Sequence, residues 1–180
     1  MNRIALVGMM GSGKTTVGRV LAEHLNLPFV DLDAFIETRA GRPIPQLFAE
    51  KGEAGFRAWE ERALRRITQA CAGVVLATGG GVVVTEGCRQ ILSSRWCTVW
   101  LDARVETLVE RLRDEADHRP MLATSESLAE RVAALSEARA AWYGAVARRR
   151  VAVDGRSALS IAHEIAAWME TEGCRADAGR

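Results

Sequence analysis

The chain has 180 residues, a formal net charge of +1, 48% hydrophobic residues and 26% charged residues. This length suits one domain with its own core, and the small net charge gives no reason to expect a nucleic-acid or membrane partner. No apolar run approaches the roughly 18 residues that cross a bilayer. The four cysteines and three histidines lack metal-ligand spacing. We therefore expect a cytoplasmic monomer.

Short β-branched apolar runs alternate with amphipathic stretches, which is typical of βαβ units and a parallel sheet. Five strands are predicted, at Ile4–Val7, Phe29–Val30, Val74–Ala77, Val99–Leu101 and Val151–Val153. Helical periodicity begins after Lys14 and is predicted again over 35–39, 45–51, 55–71, 105–112, 128–147 and 159–169. These elements predict a three-layer α/β fold in a single domain over residues 1–171. Residues 172–180 are predicted to be a disordered tail.

A phosphate-binding pattern follows the first strand. The segment Gly8–Thr15, GMMGSGKT, fits G-x-x-x-x-G-K-[ST] between a strand and a predicted helix. Its glycines let backbone N–H groups turn towards an anion, and the helix N-terminus adds a positive dipole end. Lys14 would bridge the β- and γ-phosphates, and the Thr15 hydroxyl would bind Mg²⁺. The alternative is a chance glycine-rich turn, but Lys51 is the chain's only other lysine.

The phosphate loop alone does not distinguish kinases from GTPases or motor ATPases. The chain is short for motor machinery and has no N-K-x-D-like guanine-reading tetrapeptide, which leaves a small-molecule kinase. Asp31 and Asp33 would share a face at the end of the second strand. Carboxylates there suit the hydration shell of Mg²⁺ and acceptance of a proton from an attacking hydroxyl. The alternative for Asp33 is a helix N-cap.

Segments in chain order resemble the shikimate kinase family over roughly Ile4 to Ile165. They are GMMGSGKTT at Gly8–Thr16, Asp31-Leu32-Asp33, GRPIPQLFAEKGEAGFRAWE at Gly41–Glu60, Ala77–Gly81, Arg119-Pro120-Met121-Leu122, and Arg139 with Tyr143. The resemblance implies a three-layer α/β/α P-loop kinase fold with a five-stranded parallel sheet. It also implies a helical substrate-binding region over about 33–61 and a mobile lid over about 113–125.

The same resemblance implies an activity and a set of site residues. ATP would give its γ-phosphoryl group to the 3-hydroxyl of shikimate, forming shikimate 3-phosphate and ADP in chorismate and aromatic amino-acid biosynthesis. The implied catalytic residues are Lys14, Asp33 and Arg119. The implied ATP-binding residues are Gly11, Ser12, Gly13, Lys14, Thr15, Thr16, Arg119 and Arg156. The implied shikimate-binding residues are Asp33, Arg57, Gly79, Gly80, Gly81 and Arg139. Mg²⁺ would be bound directly by Thr15 and through water by Asp31.

Several of these assignments have an alternative that the residues alone leave open, and for Arg119 it is an ordinary exposed arginine. Arg57 and Arg139 offer planar forks that pair bidentately with a carboxylate, but most arginines on amphipathic helices are solvated. The glycines at 79–81 suit close approach to a ligand, or a flexible turn. Arg113 and Arg156 are candidates for walls of the adenine site. The alternative functions are a related kinase, such as one acting on gluconate, or a non-catalytic metabolite-binding regulator.

Overall fold

The structure is a computed structural model that describes residues 3–113 and 127–171. Its centre is a parallel sheet in the order β2-β3-β1-β4-β5. The strands are β1 (Arg3–Val7), β2 (Phe29–Asp31), β3 (Val74–Ala77), β4 (Cys97–Asp102) and β5 (Arg149–Ala152). The predicted five-stranded parallel sheet is confirmed, although β5 begins and ends earlier than predicted. β1 and β3 are buried on both faces, which explains their continuous apolar sequences.

Helices cover both faces of this sheet. They are α1 (Lys14–His24), α2 (Leu32–Ala40), α3 (Ile44–Ala70), α4 (Glu86–Arg95), α5 (Val105–Leu112), α6 (Leu128–Val146) and α7 (Ala158–Thr171). A 3₁₀ turn, Val82–Val84, precedes α4. The sequence did not predict α4, because only Cys88, Ile91 and Leu92 of its ten residues are buried. Its remaining residues give too weak an apolar stripe to indicate a helix.

Alternate residues of β1 enter the two apolar layers. Ala5 and Val7 pack with residues of α2 to α6, whereas Ile4 and Leu6 pack with residues of α1 and α7. This alternation is the geometry of a strand that is covered by helices on both sides. The three-layer α/β/α arrangement is therefore confirmed.

A glycine interrupts α3. Gly52 has φ 66° and ψ 179°, outside the helical region, so two helical segments meet there. The sequence had already separated helical patterns at 45–51 and 55–71. The second segment carries Arg57 and Glu60 on its buried face, and it is the segment that contributes to the candidate site.

Two predicted regions fall largely outside the described residues. They are the lid over about 113–125, of which only Arg113 is described as the C-terminal cap of α5, and the tail at 172–180. Arg119 belongs to the first of these regions. No helix in the described part of the chain is both long enough and apolar enough to cross a membrane.

Candidate active site

The loop between β1 and α1 presents backbone groups to a cavity. Gly13 has φ 93° and caps the N-terminus of α1, a conformation that suits glycine because it lacks a Cβ. Gly8 has φ 143°, and a Cβ there would lie 2.4 Å from the carbonyl oxygen of Leu101. The loop thus has glycine where its backbone turns and where it passes close to β4. The N-terminus of α1 lies directly after it, which favours an anion.

Lys14 is fixed on this loop. Its side chain is buried, and Nζ donates hydrogen bonds of 2.8 Å to the carbonyl oxygens of both Gly8 and Met9. Nζ also lies 3.5 Å from Ser12 Oγ. The ammonium group is therefore held against carbonyl oxygens of its own loop.

Asp31 connects α1 to α2. Its Oδ2 accepts a 2.7 Å hydrogen bond from the Thr15 hydroxyl, and its Oδ1 accepts bonds from the backbone nitrogens of Asp33 and Ala34 at 3.1 and 3.2 Å. Asp31 is therefore the N-cap of α2. The prediction that Asp31 and Asp33 share one strand face is wrong, because the helix begins at Leu32 and Asp33 lies in its first turn. The alternative of an N-cap at Asp33 is also wrong.

A cavity of about 520 Å³ joins these groups. Its lining includes phosphate-loop residues, both aspartates and a glycine that follows β3. The lining residues are Met10, Gly11, Gly13, Lys14, Thr15, Thr16, Asp31, Asp33, Ala34, Glu37, Thr78, Gly80 and Arg111. Of the predicted ATP-binding residues, Gly11, Gly13, Lys14, Thr15 and Thr16 line this cavity together with Asp33, whereas Ser12 and Arg156 do not. The lining residues come together because β1, β2 and β3 are parallel neighbours, so their carboxyl ends meet at one edge of the sheet.

The glycine turn after β3, Gly79–Gly81, is packed too closely for side chains. A Cβ on Gly79 would lie 2.8 Å from Asp33 Oδ1 and 2.9 Å from Glu60 Oε1. A Cβ on Gly80 would lie 3.0 Å from the backbone nitrogen of Met10, and one on Gly81 would lie 2.2 to 2.6 Å from the Arg57 guanidinium. The turn therefore touches the phosphate loop on one side and the charged groups of α2 and α3 on the other.

Arg57 forms a buried ion pair behind this turn. Its Nη1 lies 2.8 Å from Oε2 of Glu60, which is fully buried. Its Nη2 lies 3.4 Å from Oε1 of the half-exposed Glu53. Burial raises the pKa of Glu60 to about 7, against the lowering effect of the adjacent Arg57 and with a smaller raising effect from Asp33. Arg57 is therefore a fixed cation at the turn and not a solvated helix residue.

Arg139 reaches the turn from α6. Its side chain is only 3% exposed, and its Nη1 donates a 3.2 Å hydrogen bond to the carbonyl oxygen of Gly80. The Tyr143 hydroxyl donates to the same oxygen, and burial raises the pKa of Tyr143 to about 12. The Tyr143 ring stacks on Trp100 with centroids 5.7 Å apart. Arg139 and Tyr143, one helical turn apart, thus both donate to the Gly80 carbonyl oxygen. The two arginines predicted to bind an acid substrate, Arg57 and Arg139, both lie at the glycine turn.

A second cavity, of about 230 Å³, adjoins the phosphate loop and shares Gly13, Thr16 and Arg111 with the first. Ser12, Thr16, Arg111 and Arg156 contribute to its lining, whereas Arg113 does not. Arg156 is held by hydrogen bonds to Glu164 Oε2 at 2.6 Å and to the Ala152 carbonyl oxygen at 3.2 Å. This cavity suits the nucleoside end of a nucleotide whose phosphates lie on the loop.

The residues of the site that were not assigned from the sequence include Glu60 and Arg111, besides Met10, Ala34 and Glu37 of the cavity lining. Glu60 ends the quoted segment Gly41–Glu60 and follows Arg57 at i+3, so the pairing could have been found from helical spacing. Arg111 lines both cavities and donates to the Gly11 carbonyl oxygen at 3.1 Å. Nothing in its local sequence distinguishes it from the other exposed arginines.

The fold and this site together define a P-loop kinase, with a phosphate loop at the carboxyl edge of a parallel sheet and a second, cationic site beside it. A shikimate kinase family profile matches residues 10–170. The chain therefore belongs to the shikimate kinase family, as the resemblance predicted. It is an ATP-dependent kinase of that family.

Individual relatives agree over nearly the whole chain. The shikimate kinase of Symbiobacterium thermophilum is 43% identical over 175 residues, which are 96% of this chain and 98% of that protein. The shikimate kinase of Acinetobacter baumannii, solved in complex with shikimate, has a TM-score of 0.91 and 35% identity and covers 97% of this chain and 96% of its own. The shikimate kinase of Aquifex aeolicus has a TM-score of 0.82 and 36% identity, and the match covers 96% of this chain and 98% of its own.

A gluconokinase from Sinorhizobium meliloti also shares the fold. Its TM-score is 0.61, with 21% identity over 96% of this chain and 93% of its own. At this identity the likeness shows the fold alone.

Proposed function

We propose that the chain transfers the γ-phosphoryl group of ATP to the 3-hydroxyl of shikimate, forming shikimate 3-phosphate and ADP for chorismate and aromatic amino-acid biosynthesis. The observation that carries this proposal is the pair of buried guanidinium groups, Arg57 and Arg139, at the Gly79–Gly81 turn. Two fixed arginines suit a small carboxylate, because each can pair bidentately with it. The turn touches the phosphate loop at Gly80 and Met10, so the bound acid would face the nucleotide.

The nucleotide phosphates would lie on Gly11–Thr16. Backbone N–H groups and the N-terminus of α1 favour the anionic chain, and Lys14 would bridge the β- and γ-phosphates. Arg111 and Arg156 would border the nucleoside, since both line the second cavity. Arg119 lies outside the described residues, and we keep its prediction as a cation that meets the transferred phosphoryl group.

Mg²⁺ fits the oxygen donors at the start of α1. The Thr15 hydroxyl and the Asp31 carboxylate lie 2.7 Å apart, and oxygen ligands suit this cation. Within the described ranges, no group of three or more His, Cys, Asp or Glu side chains could hold a metal ion. Phosphate oxygens and water would therefore supply most ligands, with Thr15 binding directly and Asp31 through water. When bound, Mg²⁺ neutralises phosphate charge.

Asp33 is proposed to receive the acceptor hydroxyl. It lines the phosphate cavity and its carboxylate lies against Gly79. The substrate oxygen would form a bond to the γ-phosphorus while the bond from that phosphorus to the β–γ bridging oxygen breaks. ADP leaves with the bridging oxygen, and Asp33 accepts or orients the hydroxyl proton.

The amide groups of Gly79, Gly80 and Gly81 are proposed to approach the substrate ring. Side chains at these positions would collide with Asp33, Met10 or Arg57, so only glycine fits here. Gly80 lines the phosphate cavity, whereas Gly79 and Gly81 are buried. We also retain the prediction of one domain that works as a cytoplasmic monomer with small-molecule partners only. Size-exclusion chromatography with light scattering tests the oligomeric state.

A coupled ADP-release assay tests the substrate. Shikimate, quinate, gluconate and nucleoside monophosphates are compared at equal concentration with ATP and Mg²⁺, and only shikimate should give efficient turnover. Detection of phosphate on the 3-hydroxyl by phosphorus NMR completes the assignment. Turnover of gluconate but not of shikimate would assign gluconate as the substrate. The proposal would also fail if no acceptor in this set caused ADP release.

A further inference from the structure

One edge of the Arg57 guanidinium group is only partly hydrogen-bonded. Nη1 is tied to the fully buried Glu60 at 2.8 Å, whereas Nε has no hydrogen-bond partner within the described residues. A buried N–H without a partner is costly. Nε and Nη2 share one edge of the planar guanidinium group, and this edge can pair side-on and bidentately with a carboxylate.

Glu53 already occupies part of that edge. Its Oε1 lies 3.4 Å from Arg57 Nη2, a longer distance than the 2.8 Å bond to Glu60. Glu53 is half exposed, while Glu60 is fully buried. Glu53 can therefore turn into water at little cost, and Glu60 cannot.

We propose that Glu53 is an internal competitor for the substrate carboxylate, which it resembles in charge and shape. In the unliganded enzyme it pairs loosely with Nη2 of Arg57. The entering carboxylate takes Nε and Nη2 together and sends Glu53 into solvent, while Glu60 continues to hold Nη1. This inference rests on the proposed function, because it requires Arg57 to bind the acid.

The competition has a direction that separates it from simple positioning. If Glu53 only oriented Arg57, its removal would weaken substrate binding. If it competes, its removal tightens binding, because the substrate no longer displaces a carboxylate. A partly exposed ion pair of this kind corresponds to about a two- to fivefold change in affinity.

The test uses Glu53→Gln in the full chain, with the shikimate dissociation constant measured by isothermal titration calorimetry. We expect this constant to fall about two- to fivefold, with the KM for ATP unchanged. Glu61→Gln is the matched control, because Glu61 also pairs with an arginine four residues away on the same helix, at 2.7 Å from Arg65. It should leave the constant as in wild type.

Glu53→Asp then distinguishes direct contact from charge. The shorter side chain keeps the negative charge but withdraws it from Nη2, so competition predicts tighter binding here too. Wild-type affinity in Glu53→Asp would assign the effect to long-range repulsion and overturn direct competition. An unchanged or higher constant in Glu53→Gln would overturn it as well. A wild-type enzyme that binds no shikimate would instead overturn the proposed function.

Discussion

The two halves of the candidate site are built in different ways. The phosphate half uses main-chain groups from one continuous segment, with Lys14 held by carbonyl oxygens of the same loop. The other half, here called the acid half, uses the side chains of Asp33, Arg57 and Arg139 from α2, α3 and α6, which lie around Gly79–Gly81. A continuous segment carries its geometry locally, whereas the acid half exists only once the sheet has brought distant elements together.

This contrast separates a part of the site that many enzymes share from a part that can differ between enzymes of this fold. The phosphate half serves any nucleoside triphosphate enzyme with this loop. Under the proposed function, the acid half would set the second substrate, and it depends on buried charge whose loss leaves a partner unpaired. Mutations in the two halves should therefore affect different kinetic constants.

The largest effect is expected for Lys14→Ala. This change removes the cation from the phosphate half, and kcat/KM should fall about 1000-fold. Lys51→Ala is the matched control, because Lys51 is the only other lysine and is exposed. A rate for Lys14→Ala close to wild type would refute the catalytic assignment of the loop.

Asp33→Asn probes the point where the halves meet. Asparagine keeps the shape but cannot accept the proton, so kcat should fall about 100-fold. Thermal unfolding should be little changed, because Asp31 and not Asp33 caps α2. If the variant turns over at the wild-type rate, Asp33 has no part in the chemistry.

Arg57→Ala should act on the acid half alone. Loss of charge-assisted hydrogen bonds should raise the KM for shikimate about 10- to 100-fold, with the KM for ATP changed less than about twofold. Arg65→Ala, on the exposed side of the same helix, is the control. Equal losses in both KM values would contradict the carboxylate role.

Because Arg57→Ala also leaves the buried Glu60 without its partner, a second variant separates binding from folding. Gly81→Ala would place a Cβ within 2.6 Å of three guanidinium atoms, so it should displace Arg57 without removing its charge. Its KM for shikimate should rise as well. Gly144→Ala, where a Cβ meets no atom within 4 Å, should leave both KM values unchanged.

The smallest effect concerns the pH dependence of stability. The pKa of Glu60 is raised from 4.5 to about 7 by burial, so the folded state binds more protons than the unfolded state between these values. The unfolding free energy of wild type, relative to Glu60→Gln, should therefore fall as pH rises from about 4.5 to 7. Urea unfolding of both proteins at several pH values measures this difference. Parallel pH profiles would contradict a buried, high-pKa Glu60.

The sequence predicted the phosphate half more completely than the acid half. Lys14 and Thr15 follow from spacing within eight residues, and the cavity contains both. Arg57 and Arg139 could be assigned only by resemblance, since burial of one helix face depends on what packs against it. The predicted relation of Asp31 to Asp33 was wrong because the strand ends at Asp31, whose side chain caps a helix that already contains Asp33.

Other features depend on contacts that local sequence does not encode. Arg111 is a site residue only because α5 places it against the phosphate loop. The α4 helix carries three buried residues in ten and forms by packing on its neighbours. The roles of Arg119 and of the remaining site residues stay predictions.

The hydrogen bonds of Lys14 have a consequence for nucleotide affinity. A lysine side chain that is free in solution loses much of its rotamer entropy when a phosphate immobilises it. Here two carbonyl oxygens already restrict the ammonium group before any nucleotide arrives. Most of that loss has occurred during folding, so the attraction between the ammonium group and the phosphates is less offset when ATP binds.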